Sequence, residues 1–330
     1  MNVSAMGSLG GADSGSNLLD IRDKAKWAEL GRKSFIFEHR LAGHPLFERP
    51  RLAKLAEAML DTGDHLRCSA SGFQCDNSPE GRRKLVGAIV DMEEANSWIK
   101  LSHANQVLPE YDEVLQSVLR DVELMLDFPL RKVMTWSGMT IFMNPPDYFV
   151  RYHFDHESSL LLQIAGEKDV CVYPPDNRVL TETEIEGFYH GDVMAGRYRE
   201  EVEAFATHQI ITPGTGVHLP QLGPHSVRNN KQASISVSIF YDLRAHDEKA
   251  RICQFNWYLR RMGITPAPVG KSVMTDRAKI AVIESLCKPD PQNWDEYMFS
   301  GVNRINAPFR AAKGIGRRLA SLAHHSPPAG

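Results

Sequence analysis

Cysteine is scarce in this chain and its spacing is unhelpful to any crosslink: Cys68, Cys75, Cys171, Cys253 and Cys287, with no C-x-x-C pair among them. An odd number so spaced argues against a disulfide framework and against a thiolate zinc site. A reducing cytoplasm is the expected compartment. Long apolar runs are also missing, since none approaches the ~18 to 20 residues that cross a bilayer. No positive charge precedes Arg22 and no apolar h-region stands there, so neither a membrane span nor an export signal is expected. Charge of one sign is lacking too. Against 38 Lys and Arg stand 41 Asp and Glu, a net charge of −3 that gives no overall attraction for nucleic acid or an anionic membrane. What is present is ordinary for a globular protein: 42% hydrophobic and 24% charged residues, which disfavours disorder and fibrous architecture. At roughly 150 residues per domain, 330 residues make one elaborated domain or two packed units.

The text changes grammar along the chain. Residues 1–17 form an expected disordered leader, with four Gly and four Ser before Asn17. Residues 18–129 read as a helical N-terminal region: Leu52, Leu55, Ala56 and Met59, then Leu115, Val118, Leu119 and Val122, keep the spacing of one helical face. Pro50 and Pro109 stand where helix starts tolerate proline. Between 130 and 245 short alternating or apolar runs broken by Pro, Gly and Asn predict a β-rich core. The predicted strands are Thr140–Met143, Phe149–Phe154, Leu160–Ile164, Val170–Tyr173, Gln209–Ile211 and Ser234–Tyr241. Asp176–Thr207 reads as an acidic, irregular insertion between strands, placed as a lid. Residues 246–330 return to helical period and end in a basic tail.

Chemistry concentrates in Tyr152-His153-Phe154-Asp155. On a strand, residues i and i+2 share a face, so His153 and Asp155 project together and Tyr152 and Phe154 oppose them. His225, in Gly223-Pro224-His225, follows a turn and supplies a third donor. Two imidazoles and a carboxylate fill one face of an octahedron and leave three positions free, a set suited to non-heme Fe(II). H-x-D alone is weak, and it recurs at His190-Gly191-Asp192 in the insertion, where His190 reads as a loop residue. His156, His208 and His218 read as hydrogen-bonded or surface imidazoles, because none belongs to a strand-borne pair.

Three runs together carry a resemblance: His153-Phe154-Asp155, Leu160 to Lys168, and Val172-Tyr173-Pro174-Pro175. Pro213-Gly214-Thr215-Gly216, Leu219-Pro220, Gly223-Pro224-His225 and Ser234 to Tyr241 continue it. The ordered combination, about a third of the chain, resembles the JmjC and cupin-like 2-oxoglutarate oxygenases. It is most similar to the protein-hydroxylase branch that includes the asparaginyl hydroxylase of hypoxia-inducible factor. The fold so implied is a double-stranded β-helix, a jelly-roll core flanked by N- and C-terminal helices.

The resemblance implies that His153, Asp155 and His225 are both the metal ligands and the catalytic set, holding Fe(II), with 2-oxoglutarate and O2 as co-substrates. It places Lys168, 13 residues after Asp155, against the distal carboxylate of 2-oxoglutarate, where a buried carboxylate needs a cation. Without the motif, a solvated turn lysine would be the plainer reading. Ser234, Ser236 and Ser238 alternate with Ile235, Val237 and Ile239, so one face of that strand is hydroxyl-lined, either toward a cavity or toward solvent. The resemblance puts Ser236 and Ser238 in the cavity, with Ser238 on the co-substrate, and makes Ser159 a cofactor-site position where the related hydroxylase has asparagine. Val150 stands where that hydroxylase has a hydroxyl side chain.

The expected reaction is hydroxylation of a protein or peptide side chain with release of succinate and CO2; demethylation would use the same chemistry. Two other readings use the same residues: a cupin-fold metal-binding regulator without turnover, and a cupin enzyme that does not use 2-oxoglutarate and has no need of Lys168. Asn256 to Gly263 opens a C-terminal helical region through which related oxygenases dimerise, so a homodimer is the expected assembly. The segment Tyr297–Gly330 has no acid but carries Arg304, Arg310, Lys313, Arg317 and Arg318. A helix packed on its own domain explains it better than contact with nucleic acid or membrane.

Overall fold

The computed structural model describes residues 17–291 and 293–307, so the basic tail beyond residue 307 and nearly all of the expected leader lie outside the described residues. Eleven strands occur among them. A seven-stranded antiparallel sheet runs in the order β1-β9-β6-β11-β4-β3-β2, and a four-stranded one in the order β5-β10-β7-β8. The strands are β1 (Phe35–Glu38), β2 (Cys68–Ala70), β3 (Ile99–Leu101), β4 (Met134–Asn144), β5 (Phe149–His153) and β6 (Ser158–Ala165). Then come β7 (Lys168–Val172), β8 (Thr207–Ile211), β9 (Thr215–Leu219), β10 (His225–Asn229) and β11 (Ser234–Leu243).

The two sheets face each other across one apolar cluster. Leu161, Val217 and Leu219 from the larger sheet pack with Val170, Val172, Ile211 and Val227 from the smaller, and Phe142 and Val150 join them. Burying such side chains contributes about 1.5–3 kcal/mol each. Two antiparallel sheets closed over one core are the double-stranded β-helix, and the helices of both flanks surround it in sequence. The helical periodicity lands where the spacing put it: α1 (Arg49–Asp61) buries Leu52, Leu55, Ala56 and Met59, and α3 (Pro109–Leu126) buries Leu115, Val118, Leu119 and Val122. Between them lies α2 (Pro79–Val90), capped by the Ser78 hydroxyl.

Residues 18–129 are not helical throughout. β1 pairs with β9, and β3 joins β4 while β2 pairs with β3, so this region completes the large sheet. Three- and four-residue strands with no extended alternation left no trace in the sequence pattern.

The described residues divide into two compact units, one holding those up to 175 with 205–242, the other 176–204 with those from 243 onward. The second unit corrects the reading of the insertion as irregular. It holds α4 (Glu182–Tyr189), opened by a capping box in which the Thr181 hydroxyl takes the Glu184 amide and Glu184 takes the Thr181 amide. α4 is tied by Glu182 and Glu186 to Arg260 of α5 (Arg244–Arg261). α5 in turn packs on α6 (Val273–Leu286). No described helix is long and apolar enough to cross a membrane.

The turn that launches β7 depends on Gly166. Its φ is +72° and a Cβ there would stand 2.5 Å from the Ala233 carbonyl oxygen, so both backbone conformation and space demand glycine. Gly166→Ala is expected to cost about 2–4 kcal/mol in urea denaturation. A variant as stable as the parent would contradict this close packing of the β6–β7 turn on β11.

Candidate metal centre

β5 and β10 are neighbours in the small sheet, with His153 opposite His225. Directly opposed residues point to the same side, and the two imidazole rings lie 4.2 Å apart, centre to centre. β5 ends at His153, so Asp155 lies in the link to β6 rather than on the strand that the alternation predicted. Its backbone carbonyl accepts from the Leu222 N–H at 2.9 Å, which ties the link to the turn before β10. The outcome matches the expected convergence by a different local route. Asp155 Oδ2 stands 4.0 Å from His153 Nε2 and 3.8 Å from His225 Nε2. Asp155 is about half exposed, at 49%, and His225 is 6% exposed, so the group opens on the carboxylate side.

Both rings are oriented for ligation through Nε2. His153 Nδ1 lies 2.7 Å from the Arg151 carbonyl and His225 Nδ1 lies 3.0 Å from the Gly223 carbonyl, so each Nδ1–H donates to backbone and each Nε2 lone pair faces Asp155. Burial, and then the neighbouring His153, push His225 down to about 4, with Asp155 opposing; a neutral imidazole is what a metal requires. Ligands at right angles on ~2.1 Å bonds stand ~3 Å apart, so contractions of about an ångström would bring this donor set around one ion. The chemistry of the set, two neutral nitrogens and one carboxylate, fits a facial Fe(II) site.

The register of β10 carries the site inward. His225, Val227 and Asn229 alternate onto one face, paired with Val172, Val170 and Lys168 of β7. Val227, Val170 and Val172 belong to the core between the sheets, so His225 and Lys168 both face it, at the two ends of a path of about 13 Å along the strand. Lys168 is 3% exposed, and burial alone pushes its ammonium down to about 7. Its Nζ donates to Asn144 Oδ1 at 3.0 Å, and among the described residues no carboxylate pairs with it. The reading of a solvated turn lysine is therefore excluded.

Around Lys168 lies a polar group that the sequence reading missed. Asn229 Nδ2 donates to the Asn144 and Pro145 carbonyls, and the Ser234 hydroxyl donates to Asn229 Oδ1. The predicted strand Thr140–Met143 stopped one residue short of Asn144, and the meeting of β4 with β7 was not visible.

Ser234 and Ser236 are fully buried, which removes solvent exposure as the reading of the hydroxyl face. The Ser236 hydroxyl donates to Gln163 Oε1 at 2.6 Å, so its partner is internal. Ser238 is half-buried opposite Leu161, on the face of the inter-sheet core. Ser159 is buried, and its carbonyl accepts from His218 Nδ1. Val150 packs against the core cluster.

His156, His208, His190 and His218 have structural partners. His156 is fully buried, 3.3 Å from Asp242, and His208 lies 2.9 Å from Asp169. His190 ends α4 and stacks on Trp257 at 3.4 Å. His218 accepts from the Gly31 N–H through Nε2 and donates from Nδ1 to the Ser159 carbonyl, which fixes a neutral ring; burial pushes it from 6.5 to about 4. A buried histidine with a lowered folded pKa favours the unfolded state once pH falls below 6.5, and the loss is complete below about 4. We expect His218 to remove about 3 kcal/mol over that window. Urea midpoints for wild type and His218→Gln at pH 7 and pH 4.5 check this; parallel declines would refute it.

The fold is cupin-like, and His153, Asp155 and His225 form a candidate metal-binding group within it. The family model of the cupin-like domain matches residues 68–247, more than half of the chain, and the chain belongs to that family. No curated protein compared with it matches. Among solved structures, the ribosomal oxygenase YcfD from Escherichia coli in complex with cobalt and 2-oxoglutarate is similar at 12% identity. That match covers 81% of this chain and 67% of that one, with a TM-score of 0.43. The DMSP lyase DddQ from Ruegeria pomeroyi DSS-3 is similar over 32% of this chain and 38% of that one, at 12% identity and a TM-score of 0.21.

Proposed function

We propose that this chain is an Fe(II)- and 2-oxoglutarate-dependent oxygenase that hydroxylates a protein or peptide side chain. One observation carries the reading: the His153–Asp155–His225 group and an unpaired buried ammonium, Lys168, share one inward face. A metal-binding regulator needs the first without the second, and a cupin enzyme of other chemistry gains nothing from a buried cation at that distance.

Fe(II) held by His153, Asp155 and His225 would supply O2 reduction coupled to decarboxylation of 2-oxoglutarate to succinate and CO2, with one oxygen atom placed on the substrate. Lys168 would anchor the distal carboxylate, and Asn144 holds the ammonium toward the space between the sheets. The Arg151 and Gly223 carbonyls keep both imidazoles in the ligating tautomer. The apolar lining of Leu161, Val170, Val172 and Val227 excludes water from the path between the two ends. Asp155, open on its outer side, marks where a substrate enters.

Purified protein supplied with Fe(II), ascorbate, 2-oxoglutarate and a peptide digest of cell extract should form succinate, and Asp155→Ala should abolish it. Binding of metal and 2-oxoglutarate without succinate would instead favour the regulator, and succinate formation indifferent to Lys168→Met would contradict the anchor.

A further inference from the structure

The inward face of the large sheet continues past the His153–Asp155–His225 group, and its far rows are basic. Lys100 on β3 pairs with Phe142 of β4 and Ser69 of β2, so it shares the face of Phe142. Arg67 stands one step before β2 in the same alternating row as Ser69, and Trp136 and Gly138 stand in the row of Thr140, Phe142 and Asn144 on β4.

His103 closes this group. It holds a left-handed backbone, φ +55°, uncommon outside glycine, and its ring lies edge-on to Trp136 at 6.2 Å and to Phe240 at 5.6 Å. Gly138 makes the approach possible, because a Cβ there would stand 2.5 Å from the Phe240 ring and 3.0 Å from His103 Nδ1. Phe240 pairs with Ser159 at the start of β6, just after the link that bears Asp155, so the group lies at the metal end of the face.

Four polar atoms of this group are buried and have no hydrogen-bond partner among the described residues: Trp136 Nε1, His103 Nδ1, and Nε and Nη1 of Arg67. Arg67 Nε has an ion pair with Asp64 at 3.4 Å, and Nη2 reaches Gln106 Oε1 at 3.4 Å; neither serves Nη1. Buried donors without acceptors cost about 1–3 kcal/mol each, a cost that binding sites bear in the free state. The indole N–H of Trp136 and the Nη1 edge of Arg67, both buried and left open by Asp64 and Gln106, with the ammonium of Lys100 nearby, call for an anion with planar acceptor oxygens.

We propose that Arg67, Lys100, His103 and Trp136 form the recognition subsite for the substrate itself, which takes an aspartate or glutamate carboxylate of a peptide. The proposal rests on the oxygenase reading for its purpose, since the side chain so held would lie beside the metal group, but not for its existence. A neutral hydroxyl or amide would meet the open Nη1 edge of Arg67 without the charge-assisted hydrogen bond that a carboxylate gives. Trp136 and His103, packed edge to face, flank the carboxylate, and Arg67 and Lys100 supply the charge.

The test uses the full chain and two dye-labelled twelve-residue peptides, one rich in Asp and Glu, the other with the matched Asn and Gln. Polarisation titrations should show the acidic peptide bound about tenfold or more tightly, with the preference falling as salt rises. Arg67→Gln and Lys100→Gln should each bring it close to the amide peptide, and Trp136→Phe should remove a fluorescence change on binding. Lys100 is exposed, so Lys100→Gln tests the subsite even if Arg67→Gln fails to fold. Equal affinity for the two peptides, or a preference that Lys100→Gln does not alter, would overturn the subsite. Calorimetry of 2-oxoglutarate with the Zn(II)-loaded protein separates the two claims. Acidic preference without 2-oxoglutarate binding sinks the oxygenase reading and keeps the subsite, and the converse sinks the subsite alone.

Discussion

Lys168→Met should make the free protein more stable and nearly unable to bind 2-oxoglutarate. An ammonium pushed from 10.5 to about 7 by burial is carried at a cost. The folded state prefers it neutral, so the full penalty applies below pH 7 and fades as pH rises toward 10.5. Its size is on the order of 3–5 kcal/mol. Methionine keeps the shape and removes the charge. Urea midpoints should therefore rise in the variant at pH 7, and the difference from wild type should shrink by pH 10. Calorimetry with 2-oxoglutarate on Zn(II)-loaded protein should show affinity about 100-fold lower or worse, the cost of leaving a buried carboxylate unpaired. Wild-type affinity should also weaken above pH 7, because binding must then charge the lysine. A destabilised variant that still binds 2-oxoglutarate would show that Lys168 serves packing alone.

His225→Ala should abolish tight metal binding. The ring is buried, neutral and fixed by the Gly223 carbonyl, so its removal takes one of three donors and leaves no side chain to replace it. Metal affinity, read by competition with a chromogenic chelator for Mn(II) or Fe(II) under anaerobic conditions, should fall by 100-fold or more, beyond the ~10–100-fold effect of disturbing a ligand's hydrogen-bond partner. His218→Gln is the control: it is equally buried, faces Gly31 and Ser159, and should leave metal affinity unchanged. Equal losses in both variants would mean that the effect is one of folding.

Much of the core and the convergence of His153, Asp155 and His225 could be read from the sequence. Alternation marked six of the strands, and helical spacing marked α1 and α3, because each signal is local and each face is buried. β2 and β3, three residues apiece, carry no pattern to read. α4 was legible in principle: Thr181 with Glu184 three residues later, ahead of Ile185 and Phe188, is a capping-box signature inside a segment read as irregular. His153 and Asp155 were found by a rule that holds only to the end of β5, and the link delivered the carboxylate instead. Asn144, Asn229 and the four residues of the proposed recognition subsite were out of reach, because their meaning lies in register between strands far apart in sequence.

The central claim is that three side chains share an ion and a lysine awaits its co-substrate across the same core. Anaerobic crystallisation with Mn(II) and a non-reactive 2-oxoglutarate analogue tests it directly. The account predicts one ion bound by His153 Nε2, Asp155 and His225 Nε2, with the analogue chelating it and its far carboxylate on Lys168 Nζ. An ion held elsewhere, or an analogue whose far carboxylate avoids Lys168, would contradict it.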